Sequence, residues 1–240
     1  ADQVVIGSSG VAGVNATLTG ALAEQAASGA GAAVAAAGQQ VTGFSPNDPY
    51  FNKNGAYAGA SGQWDLQNQI TPGLDVNVAG AWARGLTGAG VTIGFVDTGM
   101  PVTHTDLAAN YDAADSFNFG SYAGYGAPND PSPLAIYDGT SNAEDHATAV
   151  AGVAAAVGGN GIGVTGAAPA AKIAALRVDF PHQTEAMFAD ATTYHDSQIQ
   201  INKHGYGATS PYETNPLEQA AIASSTSYGL INVYAAGNAP

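Results

Sequence analysis

Three polar side chains in this sequence are of the types that transfer protons and stabilise oxyanions. Asp97 directly follows the apolar run VTIGFV, His146 precedes the small-residue run ATAVAGVAA, and Asn238 follows INVYAA. A carboxylate orients an imidazole, an imidazole acts as general base and then general acid, and an amide N–H donates to a developing oxyanion. Each residue also has an ordinary structural interpretation, as a turn former, a helix cap or a turn asparagine. None of the three identifies a function alone.

The segments around these residues predict how they come together. Four apolar runs are predicted to be strands, at 91–96, 172–178, 197–202 and 230–236. Three runs have helical composition, at 146–157, 184–196 and 216–229, and Gly229 closes the last of them. Strands alternating with helices predict an α/β fold of three layers, with a mostly parallel central sheet and helices on both faces. The Gly/Pro/Tyr-rich stretch 111–145 is predicted to be loop.

The predicted fold also explains why the polar residues lie where they do. In a parallel α/β sheet, functional groups gather at the carboxyl ends of the strands. Asp97, Gly205-Tyr206-Gly207 and Gly237-Asn238 each follow a predicted strand, and His146 opens a helix that can face a neighbouring strand end. The pattern therefore predicts one shared edge for these groups.

The first 45 residues differ in composition from the rest of the chain. ALAEQAASGAGAAVAAAG (21–38) is Ala/Gly low complexity, and its glycines weaken any helix by about 1 kcal/mol each. We interpret 1–45 as an N-terminal extension, either an arm or a short surface helix, and 46–240 as part of a folded domain.

Charge and composition exclude some functions. The net charge of −14 makes a nucleic-acid partner or an anionic membrane surface unfavourable. An acidic surface suits Ca²⁺ or basic peptides, although solubility alone also explains it. The chain has no cysteine, and neither a signal peptide nor an apolar run long enough to span a membrane is visible. The acidic, cysteine-free composition favours an exported bacterial protein, secreted or extracellular.

Taken together and in order, these motifs resemble the subtilisin-like serine proteases, and their kexin-like branch in particular. VTIGFVDTG is similar to the segment around the family's catalytic Asp, HATAVAG to its His motif, and VYAAGN to the strand that ends in its oxyanion-hole Asn. NDPYF, WDL, DVNV and VTGAAPAAKIAALRV resemble the connecting segments of the kexin-like branch. The resemblance covers roughly residues 47–240.

The resemblance implies a role for each residue. Asp97 would hold the imidazole of His146, His146 would be the general base and then the general acid, and Asn238 would donate to the tetrahedral oxyanion. The strand end at Gly205, Tyr206 and Gly207 would pair its backbone with an extended peptide substrate, as a strand added to the sheet. The expected function is a secreted serine endopeptidase.

The nucleophile is missing from this pattern. The family places its Ser in a G-T-S-x-A helix start well after the oxyanion Asn, and this chain ends at Pro240. Gly139-Thr140-Ser141-Asn142-Ala143 precedes His146, so we reject Ser141 as the nucleophile. A sheet ending with LINVYAA also leaves an open edge. We therefore expect an incomplete catalytic domain, with the Ser on a complementary C-terminal chain or on a continuation.

The resemblance also implies a structural Ca²⁺ site assembled from distant segments. Its ligands would be Asp48, Asp106 (nine residues after Asp97) and the loop VGGNGIGVTG. In that loop they would be the Val157 carbonyl, the Asn160 side chain, and the carbonyls of Ile162 and Val164. Six such oxygens suit Ca²⁺. The alternative is that GGNGIG is only a helix-to-strand turn, in which Gly and Asn supply positive φ.

Two departures from the family pattern bear on specificity and activity. Thr98 stands where kexin-like proteases that prefer basic residues carry a second Asp, and Ala147 replaces the Gly after His146. Specificity for paired basic residues is therefore not predicted. Two alternatives to the protease remain: a catalytically inactive subtilisin-like binding or scaffold module, and a structural or adhesive exported protein in which the likeness is incidental.

Overall fold

The computed structural model describes residues 43–51, 62–68, 71–134, 145–194, 199–202 and 216–235. Residues 1–42 lie outside this part, so the predicted N-terminal extension and its boundary at 45/46 stay predictions. The described helices and strands run in the order α1 Val78–Trp82, β1 Thr92–Asp97, β2 Phe117–Asn118, α2 His146–Ala155, β3 Lys172–Arg177, α3 Glu185–Thr192, β4 Ile199–Asn202, α4 Pro216–Ser227 and β5 Ile231–Tyr234.

The five strands form one parallel sheet with the order β2-β3-β1-β4-β5. β1 is central, since β3 pairs along one side of it and β4 along the other. Thr92 lies opposite Lys172, and Asp97 lies opposite Arg177. This register brings the carboxyl ends of β1 and β3 to the same edge of the sheet.

One face of the sheet packs against α2. Ile93 and Phe95 of β1 alternate with residues that face the other way, and they contact the small side chains of α2. Ala147, Ala151 and Ala155 recur every four residues, so they form one stripe along the helix and let it approach the sheet closely. The run ATAVAGVAA therefore sets the distance between α2 and β1.

The opposite face packs against α3. Val96 and Leu176 point away from α2 and are fully buried with Met187, Phe188 and Ala191 of α3. α4 contacts α3 and β5. With helices on both faces of a parallel sheet, the predicted three-layer α/β fold is confirmed.

A third cluster of apolar residues lies where α1 meets the segment that follows α2. Trp82 is buried among Phe44, Phe51 and Leu66, and its indole N–H donates to the Ala167 carbonyl at 3.0 Å. The other tryptophan, Trp64, is 52% exposed and lies outside this cluster.

The structure also corrects one element boundary. The stretch predicted to be loop contains β2 and a 3₁₀ helix at Phe119–Ala123. Two residues are too short for a periodic signal, and β2 forms only because it adds to the edge of β3. None of the helices in the described ranges is long and apolar enough to cross a membrane.

Candidate active site

Asp97 and His146 contact each other directly. His146 Nδ1 lies 2.7 Å from Asp97 Oδ2 and 3.0 Å from Oδ1, although the two residues are 49 positions apart. The Asp97 side chain is 3% exposed and the His146 side chain is 31% exposed. A buried carboxylate therefore fixes one nitrogen of an imidazole whose ring still reaches solvent.

Asp97 is positioned by the end of β1 and by backbone hydrogen bonds around it. The Thr98 N–H donates to Asp97 Oδ1 at 2.6 Å, and the Val178 N–H donates to the Asp97 carbonyl at 2.8 Å. The first bond orients the carboxylate, and the second holds the strand end against β3. The carboxylate is thus fixed by backbone groups before it meets the imidazole.

His146 is positioned because it is the first residue of α2. The preceding Asp145 makes no side-chain capping bond, and the hydroxyl of Thr98 instead accepts from the Ala147 N–H at 3.1 Å. An N–H in the first helical turn has no partner within the helix, so this bond satisfies it from the neighbouring strand. Thr98, the residue after Asp97, is therefore hydrogen-bonded to Ala147, the residue after His146.

The sequence does not predict this role for Thr98, which the family pattern marks only as the position of a missing second Asp. Ala147 occupies the position of a family glycine, and its side chain is 1% exposed within the core on the α2 face. Its methyl group is therefore part of the packing that holds α2 on the sheet.

The Asp97–His146 arrangement has a definite chemical capacity. A carboxylate that accepts from Nδ1–H keeps the proton on that nitrogen, so Nε2 is the basic one. The carboxylate also stabilises the imidazolium formed when Nε2 takes a proton. This is the arrangement of a general base that activates a hydroxyl and later protonates a leaving group.

Several predicted site residues lie outside the described residues. These are Asn238 and Gly205, Tyr206 and Gly207, together with the rejected Ser141. Their predicted roles as oxyanion donor and substrate strand stay predictions. The described part of β4 ends at Asn202, three positions before Gly205.

A second cluster brings together side chains and backbone N–H groups of the six residues predicted to bind calcium. Asp48 accepts from the Gly159 N–H at 2.8 Å and from the Asn160 N–H at 3.2 Å. Asp106 accepts from Asn160 Nδ2 at 2.9 Å and from the Val164 N–H at 2.8 Å. Asn160 thus joins two carboxylates that are 58 positions apart in sequence and 2% and 4% exposed.

Val157 and Ile162 join the same cluster through their N–H groups, and the role predicted for their carbonyls stays a prediction. The Val157 N–H donates to the Asp106 carbonyl at 2.9 Å, and the Ile162 N–H donates to Asn160 Oδ1 at 2.7 Å. Gly159, Gly161 and Gly163 all have positive φ, so the loop is also the tight turn of the alternative interpretation. Within the described ranges, no group of three or more His, Cys, Asp or Glu is arranged to bind a metal.

A second histidine–carboxylate pair lies at the end of β3. His182 Nδ1 is 2.9 Å from Asp179 Oδ2, and the Tyr125 hydroxyl is 2.9 Å from His182 Nε2. Both ring nitrogens of His182 therefore lie within hydrogen-bond distance of a partner. A histidine three residues after an aspartate was the available signal, but the contribution of Tyr125 depends on the tertiary fold.

One buried positive charge accompanies these groups. Arg177 is fully buried and donates from Nη1 to Asn118 Oδ1 at 2.9 Å. Hydrogen bonds from Ser132 hold the pKa of the nearby Asp130 below its usual value, and the Arg177 guanidinium lowers it further. The Tyr111 hydroxyl has a raised pKa because it is partly buried.

A parallel α/β sheet with an Asp–His pair at its carboxyl edge is an arrangement suited to general-base chemistry. Comparison with known proteins identifies the family to which the chain belongs. Residues 88–240 match the model of the subtilase family. The chain belongs to the subtilase family.

Curated relatives support the kexin-like likeness. Neuroendocrine convertase 2 of Bos taurus is 40% identical over 169 residues, which is 68% of this chain and 24% of that protein. Proprotein convertase subtilisin/kexin type 7 of Homo sapiens is 35% identical over 185 residues, which is 73% of this chain and 22% of that protein. The chain therefore spans about a quarter of the length of the curated relatives it matches.

Solved structures of bacterial proteases resemble this fold. A protease of Pseudoalteromonas arctica has a TM-score of 0.60 and 27% identity, covering 80% of this chain and 58% of its own. The serine protease of Aeromonas sobria, solved in complex with a chaperone, has a TM-score of 0.57 and 27% identity, covering 69% of this chain and 28% of its own. The subtilisin-like fold expected from the sequence is thereby confirmed.

Proposed function

We propose that this chain is the N-terminal portion of the catalytic domain of a serine endopeptidase that hydrolyses peptide bonds. The observation that carries the proposal is the contact of Asp97 with His146, 2.7 Å between Oδ2 and Nδ1. Two residues 49 positions apart meet because α2 packs on β1, and the Thr98 hydroxyl accepts from the Ala147 N–H across that contact. Family membership and the proteases among the similar structures support the same conclusion.

The proposed reaction assigns a step to each residue. His146 Nε2 takes the proton of a serine hydroxyl as that hydroxyl attacks the peptide carbonyl, and Asp97 stabilises the imidazolium. His146 then returns the proton to the leaving amine, and water hydrolyses the acyl-enzyme. Asn238 is the proposed oxyanion donor, and Gly205, Tyr206 and Gly207 form the proposed strand that binds the peptide.

We propose that the nucleophilic Ser is supplied by a polypeptide segment outside these 240 residues, on a complementary chain or a continuation. In this sequence the Gly139-Thr140-Ser141-Asn142-Ala143 run precedes His146, which contradicts the order of the family motifs. The acidic, cysteine-free composition supports an exported enzyme of bacterial origin with peptide or protein substrates.

One experiment separates the protease from its alternative, an inactive subtilisin-like binding module. The natural protein is purified and treated with a fluorophosphonate that labels activated serines, and its mass is measured under denaturing conditions. A labelled segment that contains the Ser, lost in the His146→Ala variant, is the expected result. A single unlabelled species of 23.8 kDa would make the binding module the better account.

We also propose that the Asp48–Asp106–Asn160 cluster binds a structural Ca²⁺. Two buried carboxylates contact one asparagine, and in the described part of the chain neither forms a salt bridge with a cationic side chain. Burial of such charges is costly unless a cation or hydrogen bonds compensate it. Carboxylate, amide and carbonyl oxygens are the donors that Ca²⁺ prefers, so the residues fit the ion.

The bound ion would neutralise the two carboxylates and link three segments of the chain. Asp48 belongs to the N-terminal segment, Asp106 to the loop after β1, and Val157, Asn160, Ile162 and Val164 to the loop after α2. In the present arrangement Asn160 Nδ2 donates to Asp106, so the ion would replace that hydrogen bond. Calcium titration of the protein, followed by its melting temperature, tests the proposal.

A further inference from the structure

The carboxylate of the pair formed by Asp179 and His182 is as deeply buried as the carboxylate in the candidate active site. Asp179 is 2% exposed, and its Oδ2 lies 2.9 Å from His182 Nδ1. The ring of Tyr125 stacks on the imidazole with centroids 4.3 Å apart and an interplanar angle of 17°. The carboxylate is therefore engaged by the imidazole, and the imidazole is covered on one face by Tyr125.

This pair lies on the same edge of the sheet as Asp97. Asp97 is opposite Arg177 in the register of β1 and β3, and the Val178 N–H donates to the Asp97 carbonyl at 2.8 Å. Asp179 is the next residue, beyond the carboxyl end of β3. Asp179 is therefore one strand spacing, about 4.8 Å, to the side of Asp97 and two residues further along, within reach of a side chain of a peptide bound at His146.

A buried carboxylate beside a peptide groove would ordinarily attract Lys or Arg, since charge-assisted hydrogen bonds are the strongest available there. Here the protein's own imidazole takes that place. Thr98, which stands where the resemblance implies a second Asp, supplies no carboxylate, and its hydroxyl accepts from the Ala147 N–H. The solvent-facing surface of the pair is planar and aromatic, because the His182 side chain is 48% exposed and stacks on the Tyr125 ring.

We propose that His182 pairs with the Asp179 carboxylate in place of a basic peptide side chain. The surface formed by Asp179, His182 and Tyr125 then selects an uncharged, preferably aromatic or aliphatic, peptide side chain over Lys or Arg. The inference rests on the proposed function, since it concerns the peptide that the protease binds. It assigns specificity to three residues, Asp179, His182 and Tyr125, that take no part in the proton transfers.

The test compares peptides that differ only in one residue next to the scissile bond, Leu, Phe, Lys or Arg. In His182→Ala the Asp179 carboxylate loses its imidazole partner and becomes available to Lys or Arg. We expect kcat/KM for the basic peptides, relative to the uncharged ones, to rise about 10- to 100-fold. His182→Phe keeps a ring against Tyr125 and should show no such rise. Asp179→Asn/His182→Ala, which lacks the charge, should also lose the gain.

Lys172→Ala is the matched control, because Lys172 is exposed at the other end of β3 and should leave the ratio unchanged. An unchanged ratio in His182→Ala, or a gain that persists in the double variant, would overturn the inference. Hydrolysis of Leu and Phe peptides would continue in that case, so the proposed function would stand.

A binding measurement keeps the inference testable without hydrolysis. Peptide amides of the same series are titrated into ¹⁵N-histidine-labelled protein, and the imidazole resonances of His146 and His182 are followed. The expected result is tighter binding of the Leu and Phe peptides in the wild type, with Lys and Arg peptides favoured in His182→Ala. Equal affinities throughout, or no response of either imidazole, would reject the inference whether or not the protein cleaves peptides.

Discussion

Two histidine–carboxylate pairs lie at the ends of neighbouring strands, and they are built differently. In Asp97–His146 the partners come from β1 and α2, 49 positions apart, whereas in Asp179–His182 they are three positions apart in one short turn. Both carboxyl side chains are 3% exposed, and the Nδ1–Oδ2 distances are 2.7 and 2.9 Å. Distance and carboxyl burial therefore do not distinguish the pair proposed to transfer protons from the pair proposed to recognise the peptide.

The difference lies in what positions each imidazole. His146 is carried by a helix that is packed on the sheet and bonded to Thr98, so the whole α2 face fixes its ring. His182 belongs to a short 3₁₀ helix and has Tyr125 against its ring and its Nε2. The Tyr125 hydroxyl, 2.9 Å from that nitrogen, takes the position that a reacting hydroxyl would need. We therefore expect proton transfer at the first pair and recognition at the second.

The largest expected effect comes from removing each carboxylate in turn. Asp97→Asn should lower kcat by about 10⁴-fold, the loss seen when a triad carboxylate is replaced and the imidazole adopts the wrong tautomer. Asp179→Asn should change kcat by less than about tenfold, since His182 takes no part in the proton transfers. Steady-state kinetics on an uncharged peptide measure both variants. Similar losses in the two would contradict the division of roles.

A second prediction concerns the calcium cluster, which should support the first pair more than the second. Asp106 accepts from the Val157 N–H just after α2, so loss of the ion should loosen the helix that carries His146. An ion present at 100 times its Kd stabilises the folded state by about 2.7 kcal/mol. Chelation with EGTA should therefore lower the melting temperature and shift the ¹⁵N resonances of His146 more than those of His182.

Asp106→Asn should abolish this response to calcium. Asp75→Asn is the matched control, since Asp75 accepts from the backbone N–H groups of Asn68 and Asn77, away from the cluster. A melting temperature that does not respond to calcium in the wild type would favour the simple-turn interpretation of the loop.

The comparison also shows what the sequence could predict. Apolar runs bounded by glycine locate the central strands, and β1 and β3 begin or end within one residue of the predicted bounds. α4 is followed by Gly229 with φ of 89°, as its glycine predicted. β2 was not predictable, because two residues form a strand only when the edge of β3 is available to them.

The candidate site also has features that the sequence predicts and features that it does not. Asp97 and His146 were predicted because they lie within motifs of ordered, recognisable residues. The hydroxyl of Thr98, the stack of Tyr125 on His182 and the burial of Arg177 depend on tertiary contacts between distant segments, which no local pattern encodes. A pair separated by three residues was visible in the sequence, but its burial was not.

A third prediction tests the bond that distinguishes the first pair. Thr98→Val replaces the hydroxyl with a methyl group of similar size and leaves the Ala147 N–H without its acceptor. A buried N–H without a partner costs about 1–3 kcal/mol, and we expect urea unfolding to show a loss in this range. Thr98→Ser keeps the acceptor and should lose less. Equal stability of the Thr98→Val variant and the wild type would show that the bond does not position α2.

The smallest expected effect concerns the charge of Arg177, which lies at the end of β3 between the two pairs. Asp130 has a pKa below its usual 3.8, first because of hydrogen bonds from Ser132 and less because of Arg177. A carboxyl whose pKa is lower in the folded state stabilises the fold at pH values above its unfolded pKa. This contribution is lost as the pH falls through the lower, folded pKa.

Asp130→Asn should therefore cost at most about 0.5 kcal/mol at neutral pH, as expected of an exposed group, and nothing below the folded pKa of Asp130. Ser132→Ala removes the leading cause of the shift and should show the same dependence on pH. The double variant should add little to either, since the two residues form one interaction. Urea unfolding between about pH 2 and 7 measures all three proteins, a range that spans the titration of an aspartate. A loss that persists at the acidic end would mean that the amide introduced by Asp130→Asn disturbs the Ser132 turn by its shape and not through the lost charge.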